Sequence, residues 1–155
     1  MQTLQCMTAP AYLCRTINQG ATFREQGFQW GVYPYPVHKM NGEWINTQTG
    51  KIAPRSDFIP FDLTGCTARM QLRADVLAPD VLFEMTTENG RIDLSAGSGW
   101  VNFFIDAETT SGLPYGQNPP ASWCSAVGQL EIQHPNGDVS RVAEITWSLS
   151  PEGTR

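Results

Sequence analysis

Gly65-Cys66-Thr67-Ala68-Arg69-Met70-Gln71-Leu72-Arg73 alternates apolar and polar side chains without a break. Successive side chains of an extended chain point to opposite faces, so Cys66, Ala68, Met70 and Leu72 form one apolar face and Thr67, Arg69, Gln71 and Arg73 one wet face. That is the pattern of a half-buried β-strand, and it recurs on both sides. Trp100 to Asp106 places Val101, Phe103 and Ile105 opposite Trp100, Asn102, Phe104 and Asp106. Aromatics on both faces imply that its outer face is covered as well. Ser125 to His134 sets Ala126, Gly128, Leu130 and Ile132 inward, and Val139 to Ser150 does the same with Ala143, Ile145, Trp147 and Leu149. Between them lies His134-Pro135-Asn136-Gly137-Asp138, where Asn-Gly predicts a hairpin turn with positive φ angles.

Further strands are expected over Tyr12 to Ile17 and Thr22 to Val32, on either side of Asn18-Gln19-Gly20. Val81 to Thr86 and Arg91 to Leu94 flank another turn, Glu88-Asn89-Gly90. No window of helical length keeps an apolar 3.6-residue period without an interrupting Gly or Pro. Ala107-Glu108-Thr109-Thr110 has the makings of one helical turn. The expectation is an all-β protein: an immunoglobulin-like sandwich of about seven or eight strands, with a long inserted loop.

Residues 33 to 59 form that insertion. They carry several prolines, Asn41-Gly42 and Thr49-Gly50 turns, and the separated aromatics Tyr35, Trp44 and Phe58. A small hairpin around Glu43 to Asn46 is expected there. A second long connection spans Pro114 to Pro120. Loops of this length in a compact domain are usually functional or ordered by a neighbour.

Composition narrows the function classes. A chain of 155 residues fits one domain, 1–155, and folding at this size hides roughly 70% of the unfolded surface. Fifteen acidic against ten basic residues give a net charge of −5 with no run of Lys or Arg, which argues against nucleic acid as a partner. The amino terminus lacks the basic stretch and apolar run of an export signal, and no segment has the roughly 20 apolar residues of a membrane span. Cys6, Cys14, Cys66 and Cys124 are therefore read as reduced thiols of a protein made in a reducing cytoplasm. With no CxxC pair and only His38 and His134 to complete a site, neither a metal nor a cofactor is expected. Both histidines are read as surface-loop residues, and acidic pairs such as Asp106 with Glu108 or Glu84 with Glu88 as surface charge. Asp62 with Thr64 reads as a turn that orders the entrance to a strand.

Pro60-Phe61-Asp62-Leu63-Thr64-Gly65-Cys66-Thr67-Ala68-Arg69-Met70-Gln71-Leu72-Arg73 resembles the DLTG-x-T-A-R-M-Q-L-R stretch of a family of small tailed-bacteriophage structural proteins. That family includes the amino-terminal attachment domain of upper baseplate proteins. Other pieces follow the family's order: Gln19-Gly20-Ala21-Thr22-Phe23 and Phe28-Gln29-Trp30 before it, Thr87-Glu88-Asn89-Gly90-Arg91-Ile92 after it, then Gly99 to Asp106, Val127 to Ile132, Pro135 to Val139 and Ser150 to Arg155. The chain departs from the pattern in the insertion at 33–59, in Pro119-Pro120, and in lacking a Gly near Glu144.

The resemblance implies a virion protein synthesised in the host bacterial cytoplasm. It would be a homo-oligomer in the particle, bound to other virion proteins at tail, baseplate or neck, or anchoring fibres, with no catalytic residues. Trp30 and Trp147 are expected in the core. Tyr35, Trp44, Phe58, Trp100 and Trp123 are the expected partner-interface residues, since protein contacts lean on buried Trp and Tyr. The alternative is a carbohydrate-binding module on a host-recognition fibre, its tryptophans stacking on sugar rings.

Overall fold

A computed structural model describes residues 4–6, 11–116 and 122–153. It is an all-β sandwich. The first sheet joins β1 (Leu4–Cys6), β3 (Phe23–Val32), β10 (Trp100–Ile105) and β9 (Ile92–Ser95) in that order, with β6 (Ile59–Pro60) pairing to the end of β3. The second runs β2 (Ala11–Asn18), β12 (Val139–Ser150), β11 (Ser125–Gln133), β7 (Thr67–Arg73), β8 (Phe83–Thr86). A two-stranded sheet, β4 (Val37–Met40) with β5 (Glu43–Asn46), lies in the insertion. The twelve strands among the described residues exceed the expected seven or eight, because short edge and insertion segments also pair.

Alternation places the core. On β7, Ala68, Met70 and Leu72 are buried while Thr67, Arg69 and Gln71 are exposed. Across the sandwich, Trp147 of β12 is completely buried and meets Phe23 and Phe103 of the first sheet edge-on, at centroid distances of 5.6 and 5.9 Å. One open side of the sandwich is seamed by an ion pair between Arg15 of β2 and Glu25 of β3.

One turn differs from its sequence reading. The β11–β12 loop closes with His134 N donating to Asp138 O at 2.8 Å and Gly137 N to His134 O at 2.9 Å, and only Gly137 has positive φ. It is a three-residue loop ending in a left-handed glycine, not a two-residue turn with both central residues at positive φ. That second geometry occurs instead between β4 and β5, where Asn41 and Gly42 have φ of 51° and 82°. Residues 18–22 and 87–91 carry the chain between the sheets, β2 to β3 and β8 to β9, so neither makes a hairpin. The helical turn is present as α1 (Ala107–Ser111), capped by the Asp106 carboxylate accepting from Thr109 N at 2.7 Å.

Burial on β3 is continuous from 27 to 31 because both faces are covered. Phe28 and Trp30 face the core, whereas Gln29 and Gly31 face the insertion, and Trp100, paired with Gln29, shares that covered outer face. A Cβ on Gly31 would sit 2.3 Å from Ile59 O and 2.8 Å from Pro60 Cα, both backbone atoms. Gly31→Ala is therefore expected to cost at least about 2 kcal/mol and displace β6. At Gly42 no atom lies within 4 Å, so Gly42→Ala costs only the left-handed strain, about 1 kcal/mol. Urea denaturation of both variants checks this order; equal losses would contradict it.

Candidate functional site

Three regions bring chemistry-bearing side chains together: the insertion, the outer face of the second sheet, and the pole around His134. The insertion leaves β3 at Val32 and returns at β6, which pairs antiparallel with Gly31 and Val32. Its hairpin is extended by a third segment, in which Asn46 N bonds to Lys51 O, Ala53 N to Trp44 O, and Ile45 bridges Ile52. Tyr33, Ala53 and Phe58 form a buried cluster of their own, with Tyr35, Val37 and Trp44 packed on it. Tyr33 stacks on Tyr35 at 5.8 Å and meets Phe58 edge-on at 5.4 Å. A loop of this composition stays fixed because aromatic burial offsets the entropy of ordering it.

Arg55 of the insertion reaches Gln29 Oε1 at 3.4 Å, and Gln29 Nε2 donates to Ser98 O at 2.7 Å, which ties the insertion to the first sheet. The Tyr35 hydroxyl donates to Asp57 Oδ2 at 2.7 Å. Partial burial, then that hydrogen bond and the Asp57 charge, push the Tyr35 phenol up to about 12.

The hairpin has two faces. Val37, Lys39 and Trp44 lie toward the aromatic cluster, with the Lys39 ammonium 5.7 Å from the Trp44 ring centre. His38 and Met40 alternate to the other face with Ile45, whose bridge partner Ile52 continues an outward strip; Met40 and Ile52 are 52% and 60% exposed. His38 is thus on strand β4 and not in a loop.

Of the five interface residues expected from sequence, Tyr35 and Trp44 are half-buried in the insertion. Phe58, Trp100 and Trp123 are buried within the chain: Phe58 in the insertion's cluster, Trp100 on the covered face of β10, and Trp123 in the main core. Trp123 N bonds to Pro114 O at 2.8 Å, while Tyr115 beside it is exposed. Residues 117–121 of that connection, including Pro119 and Pro120, lie outside the described residues, as does the side chain of Cys6.

The outer face of the second sheet was not singled out by its sequence. Cross-strand register lines up Tyr12, Glu144, Gln129, Gln71 and Glu84 in one row. Gln129 and Gln71 are each hydrogen-bonded to the flanking glutamate, at 3.2 and 3.1 Å, and Arg69 pairs with Glu131 at 2.9 Å in the next row. An open cleft of about 310 Å³ lies over Arg69, Gln71, Arg73, Val127, Gln129 and Glu131, and Val76 of the β7–β8 loop forms part of its wall. Arg73 donates to Ala78 O and Pro79 O at 2.9 and 2.7 Å, which holds that loop in shape. The loop presents Leu77 at 90% exposure.

At the pole where β7 begins, His134 Nε2 lies 3.0 Å from Ser140 Oγ across the hairpin and Nδ1 lies 3.8 Å from Cys66 Sγ, a neighbour that sequence distance concealed. His134 is half-buried. Burial and then the Asp62 charge push the Cys66 thiol up, which keeps it protonated and a poor nucleophile. The Asp62 carboxyl is held low by hydrogen bonds from the Thr64 hydroxyl and backbone N–H. A base held by a carboxylate is not what this geometry offers, because the thiol stands where the carboxylate would orient the imidazole. Among the described residues no three His, Cys, Asp or Glu converge on a point that could hold a metal, and no helix is long and apolar enough to cross a membrane.

No protein-family model matches the chain, and no curated protein matches it.

The Tyr35–Asp57 contact gives a pH test of the insertion. The folded state favours the neutral phenol, so its contribution is whole below the unfolded value of 10.0 and is lost as pH rises through about 12. The stability difference between wild type and Tyr35→Phe, followed by denaturant midpoint, is expected to be flat below pH 10.0 and to shrink toward pH 12. A difference that stays constant to the end of that window would refute the contact.

Proposed function

We propose that the chain is a non-enzymatic structural subunit of a tailed-bacteriophage particle, present in several copies at the tail, baseplate or neck, and bound there to other virion proteins. The observation that carries this reading is the insertion. It is a prebuilt hairpin, fixed from beneath by Tyr33, Trp44 and Phe58 and turning Met40 and Ile52 outward. Exposed apolar groups on a rigid support are what a docking element needs, since little entropy remains to be lost on binding. The ordered likeness of residues 12 to 155 to phage structural proteins supplies the setting.

We read the sandwich as immunoglobulin-like. β3, β10 and β9 stand in the order of strands B, E and D, and β12, β11 and β7 in that of G, F and C, with β8 in the place of C′. Trp100 and Trp123 are buried and serve neither reading, while Met40 and Ile52, which the insertion turns outward, are aliphatic and offer no ring face to a sugar, which favours protein contacts over the carbohydrate-binding alternative.

Quantitative mass spectrometry of purified particles is expected to find several copies of the chain in each, and its absence from particles would overturn the assignment. For the insertion's role, Met40→Ser with Ile52→Ser is expected to leave circular dichroism and thermal midpoint unchanged. Particle occupancy should fall by at least about tenfold, the effect of losing about 1.4 kcal/mol of contact energy. Normal occupancy would remove the hairpin from the contact.

A further inference from the structure

The four strands that end the two sheets differ in length. β1, β8 and β9 have three, four and four residues, and edges this short offer little to an added strand. β2 has eight, with no proline, glycine or lysine in them, and among the described residues no other strand pairs with its outer side. It is the edge most open to strand addition by another chain.

The outward groups of β2 follow from its register. Gln19 N donates to Ser150 O while Asn18 pairs with Ser150, so in this parallel ladder Leu13, Arg15 and Ile17 turn their N–H and C=O toward β12. Tyr12, Cys14 and Thr16 turn theirs away from it. The side chains of those three are exposed on the outer face of the sheet, and none is charged. Nothing in them repels an incoming strand.

Arg15 lies across this edge. Its guanidinium pairs with Glu25 of β3 and is only 17% exposed. Nη1 donates to Cys14 O at 2.8 Å, and Nη2 to Gly27 O at 3.3 Å. Cys14 O is the middle acceptor of the outward set, so the arginine occupies the carbonyl on which an added strand would be centred. Gly27 is the residue that β10 skips between Phe28 and Gln26. The guanidinium fork thus ties an outward carbonyl of one sheet to a carbonyl and a carboxylate of the other. A charge turned inward at a sheet edge is one of the ways in which β proteins prevent edges from pairing.

The opposite edge of the same sheet repeats the arrangement. Thr87 N bonds to Ala68 O, so by antiparallel alternation Glu84 and Thr86 of β8 turn their backbone groups outward. Glu84 O accepts from Arg91 Nη1 at 2.8 Å and from Asn89 Nδ2 at 3.1 Å, while Thr86 N donates to Asn89 Oδ1 at 2.9 Å. Arg91 directly precedes β9, so it too reaches from one sheet to the edge of the other.

We propose that Arg15 is an edge guard: it closes β2 against strand addition, and its removal turns β2 into a pairing surface for a second copy of this chain. The edge itself specifies that occupant. Antiparallel pairing about a two-fold axis at Cys14 sets Cys14 against Cys14 and Tyr12 against Thr16, so each outward N–H of the three meets an outward C=O. The inference goes beyond the virion reading and holds for the free protein. In a particle that gathers several copies, such a guard leaves docking to the insertion, because paired β2 edges would compete with it.

Thiol crosslinking of the purified full-length protein tests this at the edge itself, so that contacts made elsewhere do not count. Cys14 is an exposed free thiol, and a short bismaleimide joins two copies through it when their β2 edges lie side by side. Mass spectrometry of the digested product identifies the Cys14-to-Cys14 link. Wild type is expected to give only a trace of it. Arg15→Ser opens the edge, and Arg15→Lys keeps a cation for Glu25 but lacks the fork that reaches Cys14 O. Both are expected to raise the yield of that link at least about tenfold. Adding Thr16→Pro to either variant should return the yield to the wild-type level. Proline is tolerated where an N–H faces solvent, yet it removes an outward donor and obstructs a partner strand. If circular dichroism shows that Arg15→Ser has lost the fold, Arg15→Lys decides alone. A wild-type yield from the folded variants, abundant Cys14-to-Cys14 product from wild type, or a link that survives Thr16→Pro would each overturn the proposal. Any of these would leave the virion reading standing, since particle mass spectrometry tests that separately.

Discussion

Trp147 sets the spacing between the two sheets. Its ring comes from the long strand β12 and is gripped edge-on by Phe23 and Phe103 of the opposite sheet, with no exposure to solvent. Its indole N–H has no hydrogen-bond partner among the described residues. Leaving such a group unpaired costs about 1–3 kcal/mol, whereas burying a ring of this size contributes about 4–6 kcal/mol at 25 cal/mol per Å². Apolar burial wins, and the alternation of every long strand is arranged around it. Packing is also close on β11, where a Cβ on Gly128 would lie 2.7 Å from Met70 Sδ.

The insertion depends on that frame. It lies on a part of the first sheet where β3 presents Gln29 and Gly31 instead of bulky side chains, so Ile59 O can approach Gly31 closely. Having covered that face, the insertion cannot be a passive loop. Its aromatics are used inward, as a second small core, and what it offers outward is the strip of Met40 and Ile52. The sandwich thus supplies the rigid base on which that strip is presented.

Much of the architecture could be read from period-two patterning, because an alternating strand states which of its faces is apolar. Ala68, Met70 and Leu72, or Ala143, Ile145 and Trp147, are buried as their spacing requires. Alternation does not state what lies on the other face. Phe58, Trp100 and Trp123 carry in sequence the signal of an external contact, yet the chain's own insertion and core enclose them. Nor does it reveal which strands pair: Asn89-Gly90 looks like a hairpin turn but carries the chain from one sheet to the other. The Cys66–His134 contact joins residues 68 apart, and the second sheet's outer row of Gln and Glu reads in sequence only as ordinary solvated residues. The 74–82 loop had a signal that could have been seen, two aspartates spaced among Val76, Leu77 and Val81 without a strand period.

The central claim is that the insertion is formed on the free chain, held by Tyr33, Trp44 and Phe58 before any partner arrives. Hydrogen exchange on the isolated protein addresses this at single-residue level. The amides of Asn46 and Ala53, which donate to Lys51 O and Trp44 O, should exchange orders of magnitude more slowly than an unstructured chain. If those two amides exchanged at the unstructured rate while Met70 and Leu72 in β7 stayed protected, the hairpin would not be preformed and the account would fail.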